Sequence, residues 1–575
     1  MFRSSNVLYL FCGALIVFAL GVIGYTFGAC QLPVGDRFLE ALKLFLRAES
    51  PTTCAAPWSL VFARYAAPYI VPFVALFATI RLAVTNLRYD LRVARARYRR
   101  GHFIVCGLGD TGMQIVENLR HAGKEVIAID LVSDSPHAAT AERSRVPVVK
   151  GDAAERSVLE FAGLRHANTV IVCTGEDAQN VDIALRIEES IGDTRSRNDV
   201  LTALIELRHE WLFAKLIDHD KEPLGSPAVE VRPFNIYQNA ARILIRSLPA
   251  QPVDDPAAKP FIVIGFGSMG REVTMHYLRA APVPLRCLSN VLVLDRVGEE
   301  IGRNFVAGIP SIERFAEIEF VTADVSVEAV EKWGVIEAQL GAMNPVAIAV
   351  CLPDDKLSLF VALRLRALFD GVGRTDMSIF VRLRRHHRLG EFAAHLERLP
   401  QLDERLRVFG SLEELLKVDI LIDSRLDTLA KACHEHYREM LAAERPDSAN
   451  ARPWNILPEH FKMSSRREAD HIFVKLAQVG LAVRTSSAST PIAFTDAETE
   501  VLSRLEHRRW MIERWLRGWR HGSVRDDAHY LNPYLVEWDE LPENIRESNR
   551  KTITRWPEML ARAGMEIYRP ARGVA

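Results

Sequence analysis

Two short glycine runs hold the residues whose types and spacing suit chemistry at a phosphate. In HFIVCGLGDTGMQIVENLRHAGKEVIAID, Gly107, Gly109 and Gly112 stand at GxGxxG spacing, with Asp110 and Thr111 between the last two. At that spacing the first glycine permits a tight turn, the second lets backbone approach a pyrophosphate, and the third lets helix pack on strand. Helix N-terminal amides then meet the anion. Asp130 closes the next apolar run 23 residues after Gly107, where an acid binds ribose hydroxyls and disfavours a 2'-phosphate. A purely structural turn would need the same glycines, but the order of strand, glycines, helix and acid favours binding. PFIVIGFGSMGREVTMHYL repeats the signature with Gly265, Gly267 and Gly270. Asp295 then ends NVLVLDR, and Asp324 lies in VTADV. Asp295 lies 30 residues from Gly265 and is followed by Arg296, so the second copy is either a weaker nucleotide site or a structural one.

The elements around these residues read as alternating strands and helices. VVKGDA (148–153) and TVIVCTGEDAQN (169–180) supply the third and fourth strands of the first unit, each ending in small or polar residues at the crevice edge. IAVCLPDDKLSL (348–359) parallels the latter in the second unit. The run GLGDTG, Asp130, GDA at 151–153 and TGEDAQN at 174–180 resembles the RCK domain, also called the TrkA N-terminal domain, of potassium channels and transporters. The resemblance implies NAD(H) or an adenine nucleotide (ATP or ADP) as cofactor, and adds Asp152 and Thr174 to the cleft. A turn or helix cap is the equal alternative for Asp152. No substrate domain follows either unit, and no acid–base pair can be named beside a nicotinamide, so no enzyme is expected. Cys106, Cys173 and Cys351 fall in apolar strand-like runs, where burial is the default.

At 575 residues the chain needs several cores, and its net charge of -1 gives no pull toward nucleic acid. Eight cysteines without a CxxC pair argue against a disulfide framework or structural zinc. From Asn6 to Gln31 there is no charge, and residues 7–29 are long enough to cross a hydrocarbon layer. A signal peptide is the weaker reading, since the apolar run exceeds the usual length. Residues 58–84 read as a second span, kinked at Pro68 and Pro72, with Arg64 snorkelling to the far interface. The Arg-rich stretch at 85–100 then puts both termini in the cytoplasm. Between the spans, 36–49 is amphipathic and suits a helix in the lipid interface; a pore helix is the alternative, but no TVGYG-like filter follows it. Cys30 and Cys54 flank this loop and are a candidate pair.

Toward the C-terminus, WNILPE (454–459) and WDELPE (538–543) begin matching stretches, and His434 and Tyr437 stand to the first as His507 and Trp510 stand to the second. Glu506 to Arg550 resembles the ryanodine-receptor (RyR) repeat domain, which implies helical pairs with a sensing or docking role. Trp510, Trp515, Trp519 and Trp538 with Arg525, Asp526 and Asp527 could line a pocket for a planar ligand, although helical core packing explains the tryptophans as well. The earlier copy lacks the GW and RDD segments, so a ligand is expected at the later one.

The expected architecture is therefore two N-terminal transmembrane α-helices (membrane domain 1–100), then tandem α/β Rossmann-like RCK domains of doubly wound parallel sheet at 101–245 and 261–415, joined by a linker at 246–260. An all-α region follows, with a degenerate RyR-like repeat at 420–485 and an RyR domain at 495–570. The combined resemblance implies a multi-pass protein of the bacterial inner membrane that senses a nucleotide. It also implies a homo-oligomer, four chains by analogy with gating rings, regulating or forming a conductance for potassium or a less selective cation. Membrane lipid is the other expected partner. A nonconducting anchored sensor of signalling or defence is the alternative.

Overall fold

The computed structural model describes residues 5–28, 32–46, 56–98, 100–132, 135–192, 200–209, 225–226, 228–281, 283–326, 330–374, 376–384, 406–444, 449–485 and 492–570. The chain falls into two compact units, Met1–Ala96 and Arg97–Ala575.

In the first unit, helices span Ser5–Phe27, Val34–Lys43 and Trp58–Tyr98. The expected break between a second span and an Arg-rich helix is absent: Trp58–Tyr98 is one helix, with Pro68 and Pro72 inside it. Gly24 makes the close approach of the first and last helices possible, because a Cβ there would lie 2.5 Å from Leu60 Cβ. Buried Leu60, Ala63 and Ala67 line the same face, the small-residue packing that suits helices without a hydrophobic drive between them. Trp58–Ile80 is long and apolar enough to cross a membrane, whereas Gly13–Phe27 is apolar but shorter. Among the described residues one helix, not two, therefore meets the length for a span; the side chains of 1–12 lie outside them. The short helix ends at Lys43 and tightens to 3-10 geometry over Leu44–Leu46. Its polar face is not wholly outward, since Glu40 is buried and accepts from Lys43 at 2.7 Å. Cys30 and Cys54 lie outside the described residues.

In the second unit, strands β1 (His102–Cys106), β2 (Val126–Asp130), β3 (Val148–Lys150), β4 (Ala167–Val172), β5 (Leu201–Glu206), β6 (Gly225–Ser226) and β7 (Val229–Phe234) form one sheet in the order β3-β2-β1-β4-β5-β7-β6. Only the two-residue edge strand β6 runs antiparallel to its neighbour. Strands β8 (Phe261–Ile264), β9 (Ser289–Asp295), β10 (Ala316–Thr322), β11 (Ala347–Val350), β12 (Ile379–Arg382) and β13 (Leu406–Phe409) form a second, wholly parallel sheet in the order β10-β9-β8-β11-β12-β13. With the edge strand β6 set aside, the order is the same in both. Central strands β1, β8, β11 and β12 are buried at every position, because helices cover both faces of a parallel sheet and leave no solvent side to alternate with. The expected linker is not loose: Gln251 Oε1 accepts from Lys259 N at 2.8 Å, and Gln478 Nε2 donates to the Gln251 carbonyl. Helices Ile236–Arg246 and Ser268–Ala280 share one core that takes in both sheets.

The C-terminal region is helical but not purely so. Helices Thr428–Glu444, Glu459–Gln478, Asp496–Leu516, Glu543–Thr554 and Trp556–Arg562 are joined by an antiparallel pair, β14 (Ala482–Thr485) with β17 (Met565–Tyr568). Two-residue strands β15 (Arg520–His521) and β16 (Leu531–Asn532) also pair. The duplication suggested by WNILPE and WDELPE extends to local geometry. His434 meets Trp454 at 5.9 Å between ring centroids, tilted 59°, and His507 meets Trp538 at 5.9 Å and 58°. Each histidine Nε2 contacts a backbone carbonyl, Arg452 O at 2.7 Å or Val536 O at 2.8 Å. Arg466 and Arg550 lie over the two tryptophans and bond Glu459 and Glu543 respectively.

A buried ionic joint ties this region to the first sheet. Arg242 donates to Asp470 at 2.7 Å and to Asp427 at 3.0 Å, Arg246 also bonds Asp470, and Arg466 donates to Asp427 at 2.8 Å. Burial works to raise both carboxyls, but the guanidinium groups outweigh it and hold Asp427 and Asp470 below the ordinary aspartate range.

Candidate nucleotide cleft and RyR-type aromatic ladder

The first glycine turn leaves the carboxyl end of β1 and starts the helix Asp110–His121. Gly107 has φ +95°, and a Cβ there would meet Cys173 O and Thr174 Cα at 2.8 Å. A Cβ on Gly112 would come within 1.8 Å of Gly107 O. Packing alone therefore demands these two glycines. Gly109 is different: it is the N-cap at φ -73°, and nothing lies within 4 Å of where its Cβ would be. No internal contact demands a glycine there, and its open side is where a pyrophosphate would approach the first helical amides.

The other cleft residues are placed by capping contacts. Asp110 and Thr111 open the helix, and Asp110 lies 3.2 Å from His137 and 3.5 Å from Arg384. Asp130, at the end of β2, accepts from Ser135 Oγ at 3.1 Å. Asp152 accepts from Ala154 N at 2.9 Å, the turn-cap role. Thr174 donates through N and Oγ1 to Asn180 Oδ1, while Asn180 Nδ2 reaches Glu206 O, locking the crevice between β4 and β5. Glu206 is fully buried, and that burial raises its carboxyl pKa despite Arg208 at 3.4 Å. Asp177 fastens the backbone after β5, accepting from Arg208 N and His209 N.

The second turn has the same backbone. Gly265 has φ +87°, Gly270 would place a Cβ 2.0 Å from Gly265 O, and Gly267 is open. Asp355 accepts from Arg384 N at 2.9 Å, as Asp177 does from Arg208 N. Its acids, however, serve the backbone. Asp295 accepts from Phe266 N at 2.7 Å and Val297 N at 3.2 Å, and Asp324 from Ser326 N at 2.9 Å. Phe266, Phe305 and Phe320 pack edge to face beside this turn, with centroids 5.0 to 6.0 Å apart.

In the C-terminal region the aromatic residues form a ladder. Trp538, buried, donates Nε1 to Glu500 at 2.8 Å and meets His507, which stacks on Trp510 at 5.7 Å. Arg514 lies over both Trp510 and Trp519, and Trp519 meets Tyr530 edge-on. Trp515 stacks on Phe315, the residue before β10, at 6.2 Å and shares the core spanning both sheets with Trp519. Trp515, Trp519 and Trp538 are thus buried packing residues. Arg525 pairs with Asp527 at 2.7 Å, and Asp526 caps its own turn through Ala528 N, His529 N and His529 Nδ1.

Comparison with known proteins agrees with these two regions. Residues 103–218 match the TrkA-N domain family model, and residues 493–569 match the RyR domain model. The Ktr system potassium uptake protein C of Bacillus subtilis is 31% identical over 142 residues, 24% of this chain and 59% of that protein. An uncharacterised protein of Methanothermus fervidus is 27% identical over 123 residues, 20% of this chain and 19% of that protein. The chain thus spans less than two thirds of either relative. Among solved structures, GsuK bound to ADP is 14% identical with a TM-score of 0.40, over 73% of this chain and all of that one. The GsuK channel bound to NAD is 13% identical with a TM-score of 0.39, over 86% and 89%. Likenesses this distant carry no functional argument.

Sequence reasoning missed Ser135, Asn180, Glu206, Arg208 and Arg384 at the first cleft. Asn180 lies in TGEDAQN, where its amide fits a crevice lock, and Ser135 before Pro136 carries a local N-cap signature, but Glu206, Arg208 and Arg384 depend on which strands become neighbours.

Proposed function

We propose that this protein is a membrane-anchored nucleotide sensor of RCK type that regulates or forms a cation conductance. The observation that carries the reading is the open Gly109 at the N-terminus of Asp110–His121, flanked by two glycines that packing itself requires. A dinucleotide or adenine nucleotide, NAD(H), ATP or ADP, would seat its phosphates on that turn and its ribose near Asp130. Bound there, it would supply anionic charge to a cleft edge where Arg384, from beyond the end of β12, pairs with Asp110. The equal strand orders and equivalent Asp177 and Asp355 ties support a tandem RCK pair. Commitment of Asp295 to the Phe266 and Val297 amides, where Asp130 among the described residues bonds only the Ser135 hydroxyl, supports a structural second copy. Trp58–Ile80 supports the membrane anchor, and the likeness to the Ktr system potassium uptake protein C supports relevance to potassium; a bacterial inner membrane, cytoplasmic large domains and a four-chain assembly belong to the same proposal. The RyR-type module acts as a second sensing or docking part.

The second reading is a nonconducting anchored sensor, favoured by the lack of a TVGYG-like run in the sequence between the first two hydrophobic segments. Flux recording on purified protein in liposomes, with NAD, NADH, ATP and ADP added in turn to the cytoplasmic side, separates the two. Nucleotide-dependent current establishes a gated conductance. Nucleotide binding with a silent bilayer supports the anchored sensor, and no nucleotide binding at all sinks both.

A further inference from the structure

Between β7, the helix Ile236–Arg246 and the earlier C-terminal repeat lies a cavity of about 240 Å³. Its lining contains five cationic side chains against three acidic ones. Two of the cations are already matched, because Arg242 and Arg466 share Asp427 and Arg466 also takes Glu459. The remaining three, Arg232, Lys431 and Lys462, face the space with Glu230 as the remaining acid. Lys462 is buried and has Glu459 at 3.7 Å, a carboxylate that also serves Arg466. Burial depresses the Lys462 ammonium, so the site disfavours its charge as it stands. Arg232 donates Nη1 to Ile422 O at 3.3 Å, and its buried Nε has no hydrogen-bond acceptor, with the Glu230 carboxylate 4.0 Å away and too far to bond it. Trp454 adds an aromatic wall, and Asn455 and Gln238 add neutral polar groups.

From this lining we infer that the cavity is a binding site for a small, flat organic anion, an aromatic carboxylate or phosphate held by Lys462 and Arg232 against Trp454. A charge-assisted contact would satisfy Arg232 Nε and compensate the buried ammonium together. Size narrows the class. A cavity of about 150 Å³ accommodates benzene, so this one takes a single ring with a charged substituent, and a dinucleotide is several times too large. The site is therefore distinct from the glycine-turn cleft, and it lies at the earlier repeat, not at the later copy that the RDD segment favours.

The test is calorimetry on the full chain in detergent, with benzoate and phenyl phosphate as probes and benzamidinium as the cationic control. Saturable binding of either anion, at one site per chain and unaffected by NAD, is expected. Lys462→Gln should weaken it at least about tenfold, the worth of one hydrogen bond to a charged group. Arg232→Gln, on β7, reads the same contact should Lys462→Gln fail to fold. Benzamidinium binding as tightly as benzoate, competition by NAD, wild-type affinity in both variants, or no binding of either anion at millimolar concentration would each overturn the assignment. Preference for phenyl phosphate or for benzoate then tells which anionic head the cavity takes.

Discussion

Arg384, two residues beyond the end of β12, holds Nη2 3.5 Å from Asp110 Oδ2 on the first glycine turn. Its backbone amide is meanwhile fixed by Asp355. The second sheet thus lends a cation to the cleft of the first, through a residue whose counterpart Arg208 serves Glu206 in its own sheet. An anion on the turn would compete with Asp110 for that guanidinium, so occupancy of one sheet's cleft would be felt at the other sheet's edge.

The first prediction concerns that residue. The two side chains are 37% and 29% exposed, so the pair itself contributes no more than about 1 kcal/mol to stability. Arg384→Gln should leave the melting temperature nearly unchanged while weakening nucleotide binding about five- to tenfold, as loss of one charge-assisted contact would. Unaltered affinity in a titration of the full chain would remove Arg384 from the cleft.

Gly109 and Gly112 should part company on substitution. Gly112→Ala forces a Cβ against Gly107 O and should cost about 1–3 kcal/mol or more in unfolding experiments. Gly109→Val meets open space and φ -73°, and should fold normally but lose nucleotide binding. A Gly109→Val protein that binds nucleotide as the parent does would mean the turn is purely structural.

Asp470→Ala would leave part-buried Arg246 without its carboxylate and buried Arg242 with Asp427 alone, and a loss of about 3 kcal/mol is expected. Acid should act in the same direction. A carboxyl held below its unfolded value gives stability that is complete above that value and is lost as pH falls through the folded pKa. Both Asp427 and Asp470 are of this kind, with an ordinary value of 3.8. The joint should therefore hold down to about pH 4 and fail below it, as read by urea titrations across pH; a flat profile would show that these ion pairs are energetically silent.

Glu468 titrates the opposite way. Burial, reinforced by the neighbouring Glu506, pushes its carboxyl up from 4.5 to about 7. A raised acid favours the fold below the unfolded value and withdraws that support as pH rises toward the folded one. Stability should accordingly decline between 4.5 and about 7, and Glu468→Gln should flatten that decline and raise the melting temperature at neutral pH. An unchanged slope in Glu468→Gln would locate the titration elsewhere.

Local chemistry was the legible part. The glycine spacing, Asp130 and the two apolar strand runs specify the turn within some 25 residues of one another, and each sits as expected. What escaped was set by long-range pairing: nothing near Arg384 in sequence announces that β12 ends beside the first turn. Asp295 looked like a ribose acid because it ends a strand, yet its oxygens go to Phe266 N and Val297 N. The tryptophans were ambiguous because helical spacing suits a pocket and a core alike, and long-range packing separates the two: Trp515 stacks on Phe315 and, with Trp519, joins the core spanning both sheets. In the first unit, Pro68 and Pro72 suggested a kink and the Arg-rich run at 85–100 a separate helix, while one helix continues from Trp58 to Tyr98.

The β14–β17 pair bears on anyone wishing to borrow the C-terminal module as a portable part. A fragment cut to the RyR match, residues 493–569, would keep β17 and discard β14, Ala482–Thr485. It would expose a strand edge whose Glu566 has lost Arg484, the kind of edge along which chains stick to one another. A fragment that keeps the pair closed has to begin before Ala482, so that the strand near its start is carried along with the strand near its end.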